Sequence, residues 1–178
     1  MIRAAVLLDG GYFSKINKKY FSEARVDLLK LSNILCEGYF RLITYYYDCM
    51  PYQSGFPTME ERTRYANKHR FITALRKLER FEVRLGRLGK RGNTFQQKGV
   101  DVSFALDLAR LSERKLVDKA IIVAGDSDFV PAVQFANEQG IITQNVYYPR
   151  IREFSYHLRD TCLETREITQ DLIDSAKF

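Results

Sequence analysis

Short, almost wholly apolar runs alternate along this chain with stretches in which apolar residues recur every three or four positions. Ala4–Leu8 (AAVLL), Leu42–Tyr47 (LITYYY) and Ala120–Ala124 (AIIVA) predict strands, and Ile141–Tyr148 predicts another that Pro149 ends. Phe81–Leu88 (FEVRLGRL) alternates apolar and polar positions, the period of a half-exposed strand. Helical spacing marks Val26–Leu35, Met59–Leu78, Val100–Leu111 and Phe129–Glu138, the last closed by Gly140. Cys49–Pro57 and Gly89–Gly99 read as loops. The tail, Arg150–Phe178, predicts helix with a short extended piece near Leu163–Ile168.

Strands alternating with helices predict a parallel sheet covered on both faces. The uniformly apolar runs at Ala4 and Ala120 suit central strands buried on both sides. In such sheets ligands gather beyond the carboxyl ends of the strands. Asp9 directly follows AAVLL, and Asp126 and Asp128 follow IIVAG. If the two strands are central and parallel, these carboxylates emerge at the same edge. Each also has a simpler role. Asp9 sits in Asp-Gly-Gly, a turn signature. Asp128 fits the N-cap of the helix beginning at Phe129, with Pro131 tolerated in its first turn.

Asp101 is harder to explain by local structure. On a helix of 3.6 residues per turn, Ser103, Asp107 and Arg110 share one side. Val100, Phe104, Ala105, Leu108, Ala109 and Leu111 take the other, and Asp101 falls near its middle. A carboxylate on a core-facing stripe is costly unless paired or metal-bound. The alternative is a first-turn acid stabilised by the helix dipole. Asp107, on the polar side, is expected to be solvated or salt-bridged. Asp48, ending YYYD, is either a rim acid or a strand-end turn residue.

Three or four carboxylates at one sheet edge repel strongly, and a divalent cation relieves that repulsion. All-oxygen ligands select Mg²⁺ or Mn²⁺. Such ions lower the pKa of bound water and neutralise charge on a phosphoryl group. No Ser-His-Asp or Cys-His arrangement competes, and Gly10 and Gly11 fit neither the dinucleotide nor the P-loop pattern, so no organic cofactor is expected.

Composition bounds the class. The length, 178 residues, suits one domain. No apolar run approaches the ~20 residues of a bilayer span, so no membrane partner is expected. The N-terminus lacks a cleavage-site pattern, so no signal peptide is expected. Cys36, Cys49 and Cys162 form no CxxC pair, which predicts a reducing, cytoplasmic setting. With two histidines, a Cys/His zinc site is not expected.

Net charge is +6, unevenly spread. Arg62 to Lys98 holds twelve Lys or Arg against Glu79 and Glu82, or +10, which leaves the remainder at −4. A basic region beside an acidic remainder points to a polyanionic partner, although a solvated helical face is the commoner meaning of a charge run. Lys90, Arg91 and Lys98 lie in the segment leading to Asp101, where they would hold phosphates without reading sequence. Tyr12 and Phe95 would stack on exposed bases, or else pack into the core.

LLDGGYF, KGVDVSFALDL and IIVAGDSDFVPAV followed by GIITQNVYY resemble, in order and spacing, the NYN domain family of PIN-like nucleases, in particular its LabA-like bacterial branch. The resemblance spans roughly Ala4 to Tyr148. It implies a PIN-like three-layer α/β/α sandwich with a central mainly parallel sheet. Residues 1–148 would form the nuclease domain. Residues 149–178 would form a helical extension packed on it, covering a sheet edge or forming a homodimer surface. The resemblance also implies metal-dependent cleavage of RNA, expected to be single-stranded. Its catalytic and metal-binding acids fall on Asp9, Asp101, Asp126 and Asp128, with Ser127 at the lip as an RNA contact. Many PIN-type sites place Asn shortly after the first Asp; here glycine and Tyr12 stand there, and Asn17 lies too far along.

Two other functions compete. One is a non-catalytic RNA-binding or regulatory module that keeps the fold and acidic pocket. The other is a phosphatase of the haloacid dehalogenase type. That chemistry needs a second Asp two residues after the first, where this chain has Gly11.

Overall fold

The computed structural model describes residues 1–178 apart from Asn93, with Lys90, Arg91, Gln96 and Gln97 described by backbone alone. The chain begins with β1 (Arg3–Asp9), α1 (Gly10–Tyr20), α2 (Leu28–Leu35), β2 (Phe40–Cys49) and α3 (Met59–Leu75). A hairpin of β3 (Phe81–Arg91) and β4 (Thr94–Lys98) leads into α4 (Val100–Glu113) and β5 (Lys119–Val123). A 3₁₀ turn (Ser127–Phe129) precedes α5 (Val130–Glu138) and β6 (Ile142–Tyr147). The tail adds α6 (Tyr156–Thr161), β7 (Glu164–Glu167) and α7 (Gln170–Ser175).

The strands form one sheet in the order β4-β3-β2-β1-β5-β6-β7. All neighbours pair in parallel except β3 and β4. β1 is the centre, and Ala4 to Leu8 are wholly buried, as an apolar run flanked on both faces requires. Side chains alternate between faces. Ala4, Val6, Leu8 and Tyr46 pack with α1, α2, α3 and α7, whereas Ala5, Leu7 and Tyr47 pack with α4, α5 and α6. The result is the expected three-layer α/β/α sandwich with a mainly parallel sheet.

Two elements depart from the sequence pattern. The Gly89–Gly99 loop is largely strand: β3 continues to Arg91 and returns as β4. The other is α1, which the Gly-Gly turn signature conceals. Asp9 caps it, accepting the Tyr12 N–H at 3.0 Å. Gly10 then passes so close to the Tyr46 ring that a Cβ there would overlap its hydroxyl. Phe13 and Ile16 are its fully buried side chains, too few to show a period in the sequence.

The segment after Pro149 supplies the seventh strand, paired in parallel with β6. Lys119, almost fully buried at the start of β5, meets Glu164 of that strand at 2.6 Å and lies over the Tyr39 ring. The three cysteines are free and buried. Among the described residues no helix is long and apolar enough to cross a membrane.

Candidate active site

The strand order reverses at β1, which carries β2 on one side and β5 on the other. At such a switch point the two connecting chains leave in opposite directions and open a crevice at the carboxyl edge. Asp9 is the last residue of β1, and Asp126 follows β5 through Ala124 and Gly125. Asp101 enters from the first turn of α4. All three line one cavity of about 590 Å³.

Their electrostatics reflect crowding. Burial, helped by the charges of Asp101 and Asp48, pushes the Asp9 carboxyl up to about 6, against the lowering effect of its Tyr12 N–H bond. Asp101 is also raised, first by partial burial and then by Asp126 and Asp128. Asp126 caps the 3₁₀ turn by accepting the Asp128 N–H at 2.9 Å. The cap expected of Asp128 therefore falls to Asp126. Asp128 itself is exposed, and so is Ser127 between them.

On α4 the buried and exposed faces differ from those expected of its apolar pattern. Asp101 is exposed toward the cavity and does not face the core, whereas Asp107 is buried. The buried stripe is Val100, Phe104, Asp107, Leu108 and Leu111, rotated from the apolar side read off the sequence. Burial of Asp107 is possible because Tyr47 donates its hydroxyl at 3.0 Å and Arg84 its Nε at 3.1 Å. The strand partners that compensate it are invisible to a helical wheel.

Tyr12 forms part of the cavity wall. Its hydroxyl accepts the Tyr148 N–H at 2.9 Å, and its ring abuts Gly125 so closely that a Cβ there would collide with it. Burial lifts its hydroxyl to about 12. Lys98 is exposed and pairs in register with Arg87 at the base of the hairpin. The side chains of Lys90 and Arg91, expected to contact phosphate, lie outside the described residues.

Three charged residues of the cavity carry no signal in the sequence: Lys15, Arg152 and Glu153. Glu153 has a side chain only 4% exposed, yet it is well compensated. Lys15 lies 2.7 Å from its Oε2, Lys19 lies 2.5 Å from Oε1, and the Tyr20 hydroxyl donates to Oε1 at 2.8 Å. These lysines hold its carboxyl down at about 2. Arg152, next to it, has a left-handed backbone with φ 71°. The partners are remote in sequence, so no local pattern announces them. A third buried acid, Asp48, adds its charge to that felt by Asp9; it accepts the Tyr46 hydroxyl at 2.7 Å and forms an ion pair with Lys68.

Among the described residues no three His, Cys, Asp or Glu side chains stand close enough together to cage an ion. The donor set nevertheless fits a hard, hydrated cation. It is all oxygen, it comes from three elements around one cavity, and Asp9 is raised by burial and by neighbouring acids. Mg²⁺ keeps several waters and takes one or two carboxylates plus substrate phosphates, so it needs no closed protein cage.

A family model described as "NYN domain" matches residues 3–169. An uncharacterized protein of Sinorhizobium fredii, y4oD, is 32% identical over 69 residues, which are 39% of this chain and 31% of that protein. The match thus spans about a third of that relative's length. The crystal structure of a protein of unknown function from Vibrio parahaemolyticus superposes with a TM-score of 0.69 at 18% identity, covering 96% of this chain and 94% of that one. At that identity the likeness concerns the fold alone.

Proposed function

The chain belongs to the NYN domain family, and from that premise we propose that it is a metal-dependent ribonuclease acting at the aspartate cavity. The observation that carries the proposal is the convergence of Asp9, Asp101 and Asp126, from three separate elements, on one crevice at the sheet's switch point. Family membership supports RNA as the substrate and a PIN-like nuclease as the type of enzyme.

Asp9, Asp101 and Asp126 would hold Mg²⁺ or Mn²⁺, with Asp128 acting from the exposed side. Held there, such an ion would supply Lewis-acid polarisation of the phosphoryl group and acidify the attacking water. The carboxylates alone repel a phosphodiester, so they bind RNA only once neutralised. Lys15 presents its ammonium to the same cavity and is aimed by Glu153. It is suited to hold a non-bridging phosphate oxygen, and Ser127 and Lys98 to hold flanking backbone. Tyr12 and the loop carrying Arg152 and Glu153 wall the cavity, which keeps the reacting groups in fixed positions.

An RNA cleavage assay titrated with Mg²⁺ and Mn²⁺, repeated on Asp126→Asn, tests the proposal. Cleavage by the parent chain, abolished by the substitution while RNA still binds, is the expected result. Absence of cleavage with either metal would leave the second function, a non-catalytic RNA-binding module. The open spacing of the carboxylates favours that alternative. Gly11 brings no carboxylate to the cavity, so the dehalogenase-type phosphatase gains no support.

A further inference from the structure

A second concavity adjoins the first across α1. Gly11 and Lys15 line the aspartate cavity, while Ser14, between them on the same helix, lines a neighbouring pocket of about 490 Å³. That pocket runs along α3, past Lys68, Asn67 and Arg64. It shares Pro51, Arg64 and Leu88 with a further pocket of about 460 Å³ that ends at Tyr52 and Phe95. Together they form one groove leading from the carboxyl edge of β2 to the β3–β4 hairpin.

We propose that this groove is a subsite for single-stranded RNA flanking the scissile phosphate, with Arg64 and Lys68 holding backbone and Phe95 stacking on a base. The proposal rests on RNA being the ligand of the neighbouring cavity.

The polar and aromatic ends of the groove differ. Near α1 it offers a hydroxyl, an amide and two cations. Lys68 is fixed by its ion pair with buried Asp48 and lies over the Phe71 ring. Arg64 is exposed. Glu61, one turn earlier, is occupied by the Ser54 hydroxyl at 2.8 Å and the Thr58 N–H at 3.0 Å, as the capping box of α3. At the far end Phe95 stays 52% exposed although its ring lies 4.9 Å from that of Tyr52. A large aromatic held open to solvent beside cations suits base stacking. Sequence-tolerant single-strand sites combine these two features, a basic groove along the backbone and aromatic faces for the bases. A duplex buries its base faces and cannot use the aromatic end. The surrounding segment, Arg62 to Lys98, carries a net +10 of its own, which favours a polyanion over a protein partner.

Binding of a short labelled oligouridylate, followed by fluorescence anisotropy in EDTA, tests the assignment without cleavage. Phe95→Ala should weaken single-strand binding roughly fivefold or more. Arg64→Ala should weaken it and flatten the logarithmic salt slope by roughly 0.7. Both side chains are exposed, so circular dichroism should show parent-like melting for both variants. Unchanged affinity, or an equal loss on double-stranded RNA, would overturn the proposal. Lost binding in a chain that never cleaves RNA would retain the groove and remove the nuclease. Intact binding by both variants in a chain that does cleave would do the reverse.

Discussion

Asp9 and Glu153 border the same cavity, and their carboxyls are driven in opposite directions. Asp9 is pushed to about 6 by burial among other acids, whereas Glu153 is held at about 2 by two lysines. Desolvation acts on both; the difference is compensation. Glu153 has its cations from within the chain, so it is structural and aims Lys15. Asp9 has a backbone N–H and like charges nearby but no cation from within the chain, the counter-charge that the proposed ion would supply. Asp107 repeats the lesson on α4. It is buried but paired with Arg84, while Asp101, earlier on the same helix, faces the cavity among acids.

The contrast is broken most severely by removing an uncompensated acid. Asp126→Asn should lower kcat for RNA cleavage on the order of 10²–10³, the scale of losing one preorganised charge at a reacting centre. A change under tenfold in a metal-dependent cleavage assay would contradict the role.

Asp9→Asn should instead stabilise the metal-free chain. Asn still caps α1, and at pH 8 the wild type bears the cost of ionising a buried carboxyl. The raised pKa means that folded Asp9 retains its proton where the unfolded chain has lost it. Its contribution is therefore fully present below pH ~4 and is lost as pH rises through about 6. At pH 8 the substitution should recover up to about 3 kcal/mol, or roughly 6–12 °C in Tm. Calorimetry at pH 4 and pH 8 in EDTA checks it, and equal Tm differences at both pH values would refute the cause given.

Glu153→Gln should do the opposite, costing about 1–3 kcal/mol at pH 7 by leaving buried polar contacts unmet. Because the carboxyl is held down, its contribution is present above its ordinary range and disappears as pH falls toward 2. Urea unfolding at pH 7 and at pH 2 should show the deficit in the first alone. The smallest effect belongs to Arg110→Ala. This arginine is 62% exposed and lies 3.8 Å from Asp107, which keeps Arg84 and Tyr47, so urea unfolding should register less than about 1 kcal/mol.

Several of these features were legible in the residue pattern. Apolar runs marked β1 and β5 because a strand buried on both faces admits no polar positions. The same runs located Asp9 and Asp126, since parallel strands must deliver their next residues to one edge. Asp101 was expected near the other acids, and it does line their cavity, but with its side chain on the opposite face from the one read off the helix. A helical wheel reports which residues share a side, not which side meets the sheet. The α1 helix was hidden because two glycines and few buried apolar positions leave no period to read. Its packing depends instead on Tyr46 closing over Gly10.

The sequence alone determined the layered sheet and which acids stand at its carboxyl edge, because short-range periodicity dictates burial and burial dictates where strands end. Tertiary structure decided which charges are compensated. Lys15 and Glu153, Arg84 and Asp107, and Lys68 and Asp48 are brought together only when distant elements pack. A charge is costly or harmless according to what lies within a few ångströms, and no linear pattern encodes that distance.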